Sequence, residues 1–259
     1  MRAGTKIALV TGSTSGIGEA IAATLLRQGM HVAVTGLDRQ QGQRIVTEAQ
    51  ASGRQALYIN ADLSNPDAPR AIVSDIIRQW GALDAVVNSA GVVCHKPLED
   101  VLPDDWERLF RVNLQAPFFV VQNALPWLKR SKGVIVNVSS INAVRNDTNN
   151  VVYDTLKAGL NHMTTGLALD LLPYGIRCNA VMPGGTATPL LQDWFRQKFG
   201  DATNADEALS RELLSNTLAS PQNIADVVAF LVSEQASWVN GALIPVDGGM
   251  HLKSDGAAE

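Results

Sequence analysis

The stretch KIALVTGSTSGIG, residues 6–18, decides the fold, because an apolar run leads directly into a turn rich in glycine. Its first half has the Val, Ile and Ala content of a strand that is buried on both faces, as in parallel sheets. Gly12, Gly16 and Gly18 follow, and a helix-like segment begins among them. A strand, a glycine turn and a helix in this order predict the start of a nucleotide-binding α/β domain.

The rest of the chain repeats this alternation of apolar runs and amphipathic segments. Strands are predicted at 6–12, 31–36, 55–60, 83–91, 133–140, 176–184 and 242–249, and helices near 17–28, 39–52, 66–80, 104–130, 151–173 and 221–234. This order predicts a Rossmann-like, doubly wound parallel sheet of about seven strands with helices on both faces. We expect a single domain, 1–259, with a substrate lid at 186–217 and a tail at 254–259.

Composition and charge limit the classes of partner. The net charge is −4 and the 21 Lys and Arg residues are scattered, so no surface for nucleic acid is expected. The apolar runs are too short to span a membrane, and no cleavable leader is visible. Cys94 and Cys178 match no zinc spacing, so we expect no metal and a reducing, cytoplasmic location.

Three strand ends fit one dinucleotide. Gly12 permits a tight turn, Gly16 lets the backbone approach a pyrophosphate, and Gly18 lets the helix lie close to the strand. Asp62 in ADL can accept a hydrogen bond from adenine, and NSAG at 88–91 can line a ribose. Each motif alone is also compatible with an ordinary turn or cap, but their shared position favours the dinucleotide.

Tyr153 and Lys157, in YDTLK, lie four residues apart and therefore share one helical face. An ammonium beside a phenol in a partly desolvated cleft lowers the pKa of the phenol, so the pair predicts proton transfer near neutral pH. Ser140, at the end of the fifth predicted strand, can hold a substrate oxygen beside the phenol. Asn113 can kink its apolar helix and anchor a water near Lys157. A core-edge tyrosine with a lysine that reaches solvent is the alternative for YxxxK alone.

Together these residues resemble the short-chain dehydrogenase/reductase family, in its single-domain branch. Ser89 in NSAG and Asp154 within YDTLK depart from the commoner family residues, but neither removes a catalytic group. The motifs that carry the resemblance run in family order over nearly the whole chain: TGSTSGIG (11–18), ADL (61–63), NSAG (88–91), VNL with Asn113, VSS with Ser140, YDTLK (153–157), PGGTATP (183–189) and VDGG (246–249).

The resemblance implies an NAD(P)-dependent oxidoreductase that transfers hydride reversibly between a secondary alcohol and a ketone or aldehyde. It implies Tyr153 as the acid/base, Ser140 as the anchor of the substrate oxygen, Lys157 as a ribose ligand and Asn113 as a proton-relay residue. It also implies a homotetramer. The residues implied to bind the cofactor are Gly12, Ser13, Ser15, Gly16, Ile17, Gly18, Leu37, Asp38, Asp62, Leu63, Asn88, Ala90, Gly91, Tyr153, Lys157, Pro183, Gly184, Thr186 and Thr188.

The choice between NAD and NADP depends on VTGLDRQ, residues 34–40. An acidic residue there binds the ribose 2′-OH of NAD, whereas an arginine binds the 2′-phosphate of NADP. Similar NAD users carry the acidic residue at Gly36 and NADP users an arginine at Leu37, and this chain has neither. Asp38 can serve the ribose and Arg39 a phosphate, although both can also be solvated at a helix start. We expect NAD in preference to NADP.

The stretch between Ser140 and Tyr153 is polar, with Arg145 and asparagines at 142, 146, 149 and 150. Polar walls predict a small polar substrate such as a sugar, a polyol, or a hydroxy or keto acid. A solvated loop is the alternative for residues 145–147. Two other functions stay open, a 3-oxoacyl-type ketoreductase and a non-catalytic NAD(P)-binding sensor or scaffold. The candidate substrate residues are His95, Asn142, Asn150 and Trp194.

Overall fold

The computed structural model describes residues 4–199 and 218–252 of the chain. In this part, seven parallel strands form one sheet in the order β3-β2-β1-β4-β5-β6-β7. The predicted doubly wound parallel sheet is therefore confirmed. The strands are β1 (Ile7–Val10), β2 (His31–Gly36), β3 (Ala56–Asn60), β4 (Ala85–Asn88), β5 (Val134–Val138), β6 (Arg177–Pro183) and β7 (Leu243–Val246).

Helices connect the strands and cover both faces of the sheet. Every predicted helix is present, but the segment predicted at 104–130 is two α-helices joined by a π-helical turn, Arg111–Gln115. The helices are α1 (Gly16–Arg27), α2 (Arg39–Ala51), α3 (Ala68–Trp80), α4 (Pro103–Phe110), α5 (Ala116–Ser131), α6 (Val151–Leu171), α7 (Pro189–Phe199) and α8 (Pro221–Val232).

Two apolar cores explain why the central strands lack alternation. In β1, Ala8 and Val10 pack into the core under α1, α2 and α8. Their neighbours Ile7 and Leu9 pack into the opposite core under α3, α5 and α6. Because side chains of a strand alternate between faces, a strand covered on both sides needs apolar residues throughout. This double burial fixes the ends of the strands, from which the functional loops start.

A buried polar chain ties α6 to the centre of the sheet. The Asn88 amide donates to Asn137 Oδ1 at 2.8 Å, which joins β4 to β5. The Asn137 amide in turn donates to Thr164 Oγ1 on α6 at 2.9 Å. Buried hydrogen bonds of this kind specify one arrangement, since any shift leaves polar groups unpaired. They hold the helix that carries Tyr153 and Lys157 against β5.

Candidate active site

A cleft of about 520 Å³ follows the carboxyl ends of the strands. The sheet order places β1 between β2 and β4, so the chain leaves the sheet centre in opposite directions. Open α/β sheets bind ligands outside the strand ends at such a switch point. The loops after β1 to β6 and the first turns of α7 all contribute to the lining.

The glycine turn leaves room for a pyrophosphate. Gly12 and Gly16 have φ values of +61° and +55°, a region that favours glycine. A Cβ on Gly12 would lie 2.6 Å from the Cα of Ala90, and one on Gly18 would collide with the Gly12 carbonyl. The first turn of α1 therefore presents its free N–H groups to the cleft without a side chain in between. These residues fit the phosphates of a dinucleotide.

The ends of β2 and β3 form the part of the cleft suited to adenosine. Leu37, Asp38, Asp62 and Leu63 line it. Asp38 also caps α2, because its Oδ1 accepts a hydrogen bond from the Gln41 N–H at 2.9 Å. Its second carboxylate oxygen has no such bond among the described residues. Asp62 Oδ1 accepts from the Ser64 N–H at 2.9 Å, which orients that carboxylate at the strand end.

Tyr153, Lys157 and Ser140 converge at the middle of the cleft. The phenol of Tyr153 and the hydroxyl of Ser140 share a hydrogen bond. Lys157 Nζ lies 5.6 Å from the centre of the Tyr153 ring and donates to the Val138 carbonyl at 2.9 Å. The predicted meeting of α6 with the end of β5 is therefore present. This arrangement can hold a substrate oxygen between two hydroxyl groups and exchange a proton with it.

Burial governs the pKa values of Tyr153 and Lys157. It raises the pKa of Tyr153 to about 12, while the hydrogen bond with Ser140 acts in the opposite direction. Burial also lowers the pKa of Lys157 to about 8. The expectation that the Lys157 ammonium leaves Tyr153 with a lowered pKa is therefore wrong for the protein's own groups. The ammonium donates to a backbone carbonyl, while desolvation of the phenol and the nearby Asp154 carboxylate raise the pKa of Tyr153.

Asn113 lies inside the π-helical turn and is fully buried. Its Nδ2 donates to the Val92 carbonyl at 2.9 Å, and its Oδ1 accepts from the Val92 N–H at 3.1 Å. A Cβ on Gly91 would lie 3.2 Å from Asn113 Oδ1 and 3.8 Å from Lys157 Nζ. The amide therefore holds the loop after β4 in place through Val92 and lies close to Lys157 Nζ. The predicted helix distortion at Asn113 is confirmed.

The loop after β5 is organised by a buried carboxylate. Asp154 is 4% exposed, and its Oδ1 accepts from the side-chain amides of Asn142 and Asn150 at 2.9 and 2.8 Å. Its Oδ2 accepts from the Asp147 N–H at 2.9 Å. Burial raises the pKa of Asp154, and these three hydrogen bonds oppose that rise. Asn142 and Asn150 line the cleft, as predicted, but their amides are committed to Asp154.

Trp194 of α7 lines the cleft, whereas His95 lies behind it. The two rings meet edge to face with centroids 5.7 Å apart. His95 is 9% exposed, and its Nε2 has no hydrogen-bond partner among residues 4–199 and 218–252. His95 therefore packs against Trp194 and does not itself line the cleft, where it was predicted to contact substrate.

The sequence of the chain is similar to those of known proteins that share one family. Residues 12–251 match a family model described as enoyl-(acyl carrier protein) reductase. The chain is 38% identical to a 4-formylbenzenesulfonate dehydrogenase of Comamonas testosteroni, over 95% of this chain and 98% of the relative. It is 34% identical to a cyclopentanol dehydrogenase of Comamonas sp. (strain NCIMB 9872), over 96% and 98%. The chain belongs to the short-chain dehydrogenase/reductase family.

Two further members of the short-chain dehydrogenase/reductase family are informative. A trans-4-hydroxycyclohexanecarboxylate dehydrogenase of Sinomonas cyclohexanicum is 31% identical, over 96% of this chain and 93% of the relative. A short-chain dehydrogenase of Burkholderia cenocepacia J2315, solved in complex with NADP, is 34% identical with a TM-score of 0.86, over 95% and 97%. This short-chain dehydrogenase is thus an NAD(P)-dependent oxidoreductase.

The structure brings most of the predicted residues of this short-chain dehydrogenase to the cleft. Four predicted residues do not line it: Ser13 and Asn88, whose side chains are buried in hydrogen bonds to Val10 and Asn137, and Asn113 and His95, which are buried against Val92 and Trp194. The predicted residues that line the cleft are Gly12, Ser15, Gly16, Ile17, Gly18, Leu37, Asp38, Asp62, Leu63, Ala90, Gly91, Ser140, Asn142, Asn150, Tyr153, Lys157, Pro183, Gly184, Thr186, Thr188 and Trp194.

Several lining residues were not predicted. Thr14, Val93, Leu190, Leu191 and Met250 also face the cleft of this short-chain dehydrogenase. Thr14 lies within the glycine turn, so its position in the motif is a signal that could have found it. Met250 reaches the cleft from beyond β7, and no local pattern marks it. Residues 200–217 of the predicted lid and the predicted tail, 254–259, lie outside the described residues.

Among residues 4–199 and 218–252, no helix combines the length and apolarity that crossing a bilayer requires. The same ranges contain no cluster of three His, Cys, Asp or Glu side chains arranged to hold a metal ion.

Proposed function

We propose that the cleft catalyses the reversible conversion of an alcohol into the corresponding ketone or aldehyde, with hydride transfer to the nicotinamide cofactor and Tyr153 as the acid/base. The hydrogen bond between Tyr153 and Ser140, at the carboxyl end of β5, is the observation that carries this proposal. It places two hydroxyl groups where one substrate oxygen can bind to both. With a pKa of about 12, the phenol is protonated at neutral pH and suited to donate to a carbonyl oxygen.

Lys157 and Asn113 complete the proposed proton route. Lys157 is buried beside the phenol, and a Cβ on Gly91 would lie within 3.8 Å of Lys157 Nζ and 3.2 Å of Asn113 Oδ1, so the two groups are close together. Lys157 would hold the ribose, and Asn113 would anchor a water that links the ammonium to solvent. The nicotinamide cofactor supplies the hydride chemistry when bound, and its positive charge in the oxidised form favours the phenolate.

Substitution of the phenol tests the proposal. Tyr153→Phe should lower kcat by about 10²–10⁴-fold, because the proton route is lost. Its Kd for the cofactor should stay within a factor of about three, since the ring remains in place. Absorbance at 340 nm measures turnover over a panel of sugars, polyols, hydroxy acids, ring alcohols and their ketones with both cofactors.

The matched control is Tyr174→Phe, which removes a phenol hydroxyl from an exposed tyrosine outside the cleft. It should retain full activity. Near-normal turnover by Tyr153→Phe would contradict the proposed acid/base role of Tyr153. Cofactor binding by the wild-type chain without turnover of any panel member would favour the non-catalytic sensor or scaffold instead.

NAD is the proposed cofactor. Asp38 lines the adenosine part of the cleft, and one of its carboxylate oxygens stays available after the cap of α2 is made. Arg39 is exposed, and its Nη2 lies 3.5 Å from Asn60 Oδ1, outside the lining. A carboxylate in the cleft attracts a 2′-OH and repels a 2′-phosphate. The relative solved with NADP provides the competing candidate.

The proposed substrate is a small alcohol or carbonyl compound of about the size of one six-membered ring, with polar groups. Asn142 and Asn150 from the loop after β5 line the cleft, as do Leu191 and Trp194 of α7. The names of three relatives specify ring compounds: cyclopentanol, 4-formylbenzenesulfonate and trans-4-hydroxycyclohexanecarboxylate. A ring with a polar substituent, such as a cyclic hydroxy acid or a sugar, matches both kinds of lining residue.

Residues 186–217 are proposed to act as the substrate lid in a cytoplasmic homotetramer. The described part of that segment supports the lid, because α7 contributes Leu190, Leu191 and Trp194 to the cleft.

The proposed homotetramer is supported by exposed aromatic residues on α4 and α5, Trp106 and Phe118. Light scattering measures the mass in solution, and a monomer at micromolar concentration would contradict the tetramer.

A further inference from the structure

Arg145 is a cation in the cleft that the proposed proton and hydride chemistry does not use. It follows β5 in the loop that Asp154 organises, and it lines the same cleft as Tyr153 and Ser140. Its Nη1 donates to the Met250 carbonyl at 3.1 Å, which holds the half-buried guanidinium against the chain beyond β7. A guanidinium has five N–H donors in a planar fork, so most of them remain for another ligand.

The carboxylates around Arg145 are engaged elsewhere. Asp147 Oδ1 lies 3.2 Å from Lys198 Nζ, and Asp247 Oδ2 lies 2.7 Å from His251 Nδ1. Asp154 accepts hydrogen bonds from two amides and one backbone N–H. Within residues 4–199 and 218–252, no carboxylate lies within ion-pair distance of Arg145. Its charge is therefore available to a ligand in the cleft.

Apolar side chains accompany this cation. Leu190, Leu191 and Trp194 of α7, with Met250, line the cleft together with Arg145. Such walls exclude water from around a bound ring and strengthen a charge-assisted hydrogen bond made there. The substrate end of the cleft thus combines an apolar wall, a hydroxyl pair at Tyr153 and Ser140, and one guanidinium.

We propose that Arg145 binds the carboxylate or sulfonate of an anionic ring substrate whose alcohol or carbonyl carbon reacts beside Tyr153. This inference rests on the proposed function and specifies its substrate class. Two relatives are named for compounds with this pattern, a reacting carbon at one end of a six-membered ring and an anion at the other. A third is named for cyclopentanol, which has no anion. Charge recognition is therefore the property to test in this chain.

The experiment compares ring substrates with and without an anionic group. We would measure kcat/KM for 4-formylbenzoate and 4-formylbenzenesulfonate against benzaldehyde, and for trans-4-hydroxycyclohexanecarboxylate against cyclohexanol. Wild-type protein should prefer the anionic member of a pair by about ten- to a hundredfold, as a charge-assisted bidentate pair provides. Arg145→Gln should remove this preference, mainly by raising KM for the anionic substrate, and leave the cofactor Kd unchanged.

Two further variants separate recognition from general electrostatics. Arg145→Lys keeps the charge without the fork and should retain part of the preference. Arg196→Gln removes an exposed charge from α7 that is paired with Asp193 and should change nothing. The preference of the wild type should also weaken as salt is raised.

The outcomes separate the two proposals. Turnover of neutral and anionic partners with equal efficiency, unchanged in Arg145→Gln, would overturn the role of Arg145 while leaving the proposed reaction intact. Loss of the preference in both Arg145→Gln and Arg196→Gln would also overturn it, because a diffuse field would then be the cause. Absence of turnover of every alcohol and carbonyl would instead reject the proposed function itself.

Discussion

Tyr153 and Lys157 show how burial at one site moves two groups in opposite directions. Desolvation disfavours the charged form of each, so it raises the pKa of the phenol and lowers that of the ammonium. Lys157 Nζ donates a hydrogen bond to the Val138 carbonyl. At neutral pH the native state therefore contains the charged form of Lys157, which burial disfavours. Such a cost is expected where a group is kept for chemistry instead of stability.

This cost predicts how stability depends on pH. Lys157 has a folded pKa of about 8 and an ordinary value of 10.5, so between these pH values the unfolded chain binds more protons. The free energy of unfolding should consequently rise with pH across that window. Lys157→Met removes the buried charge, so it should be more stable than wild type at pH 7, by up to about 3 kcal/mol. This advantage should shrink as pH rises through 8 towards 10.5.

Urea unfolding at several pH values between 6.5 and 10.5 measures both curves. Lys129→Met, which removes a lysine from α5 that lies over Tyr174 on the surface, is the matched control. Its difference from wild type should be nearly constant over the window. A difference between Lys157→Met and wild type that grows with pH would contradict the buried ammonium.

At the scale of elements, the loop between β5 and α6 is held by α6 itself. Asp154 projects from the first turn of the helix and binds donors from Asn142, Asn150 and the Asp147 backbone. The same loop carries Ser140 at its start and Arg145 in its middle. One carboxylate therefore connects the helix that carries Tyr153, the proposed acid/base, to the loop proposed to contact substrate. We assign Asp154 a positioning role, since it touches this loop and has no described contact in the cleft.

Asp154→Asn tests this positioning. An amide accepts at one end only, so it can keep the bonds from Asn142 and Asn150 but must face the Asp147 N–H with a donor. We expect the KM for substrate to rise about three- to thirtyfold, with the cofactor Kd unchanged, because the altered loop borders the substrate end alone. Steady-state kinetics and cofactor titration measure the two quantities.

Asp170→Asn, an exposed substitution on the same helix, controls for the change of charge and should leave both quantities unchanged. A parallel rise in substrate KM and cofactor Kd for Asp154→Asn would show general damage to α6 and reject a role confined to the loop.

For the molecule as a whole, the sequence predicted the parallel sheet, and most of the residues predicted to bind the cofactor line one cleft at the carboxyl ends of its strands. Continuous apolar runs such as Val134–Val138 mark strands covered on both faces, and parallel order follows from the helices between them. Local patterns could not show the direction of Asp154, which binds Asn142 across the loop, or the burial of Ser13, which also accepts from the Thr35 N–H of the neighbouring strand β2. The contact between Arg145 and Met250 spans 105 positions and has no local signal.

The cleft joins both halves of the sheet, so cofactor binding should stabilise the whole molecule. The strand ends of β1 to β3 and of β4 to β6 all line it, and a ligand that contacts both halves binds only the folded chain. At a concentration of 100 Kd, NAD⁺ should add about 2.7 kcal/mol, which raises Tm by roughly 5–10 °C for a chain of this size. NADP⁺ at the same concentration should raise Tm less.

The variant Asp38→Asn tests the choice between NAD and NADP through these Tm shifts. Asparagine caps a helix as well as aspartate does, so the variant should keep α2 and its own Tm while it loses the carboxylate. The Tm shift with NAD⁺ should fall and the shift with NADP⁺ should rise, because repulsion of the 2′-phosphate is removed. Catalytic efficiency with each cofactor should follow the same order. A wild-type chain that NADP⁺ stabilises more than NAD⁺ would reverse the assignment and make Arg39 the residue to substitute next.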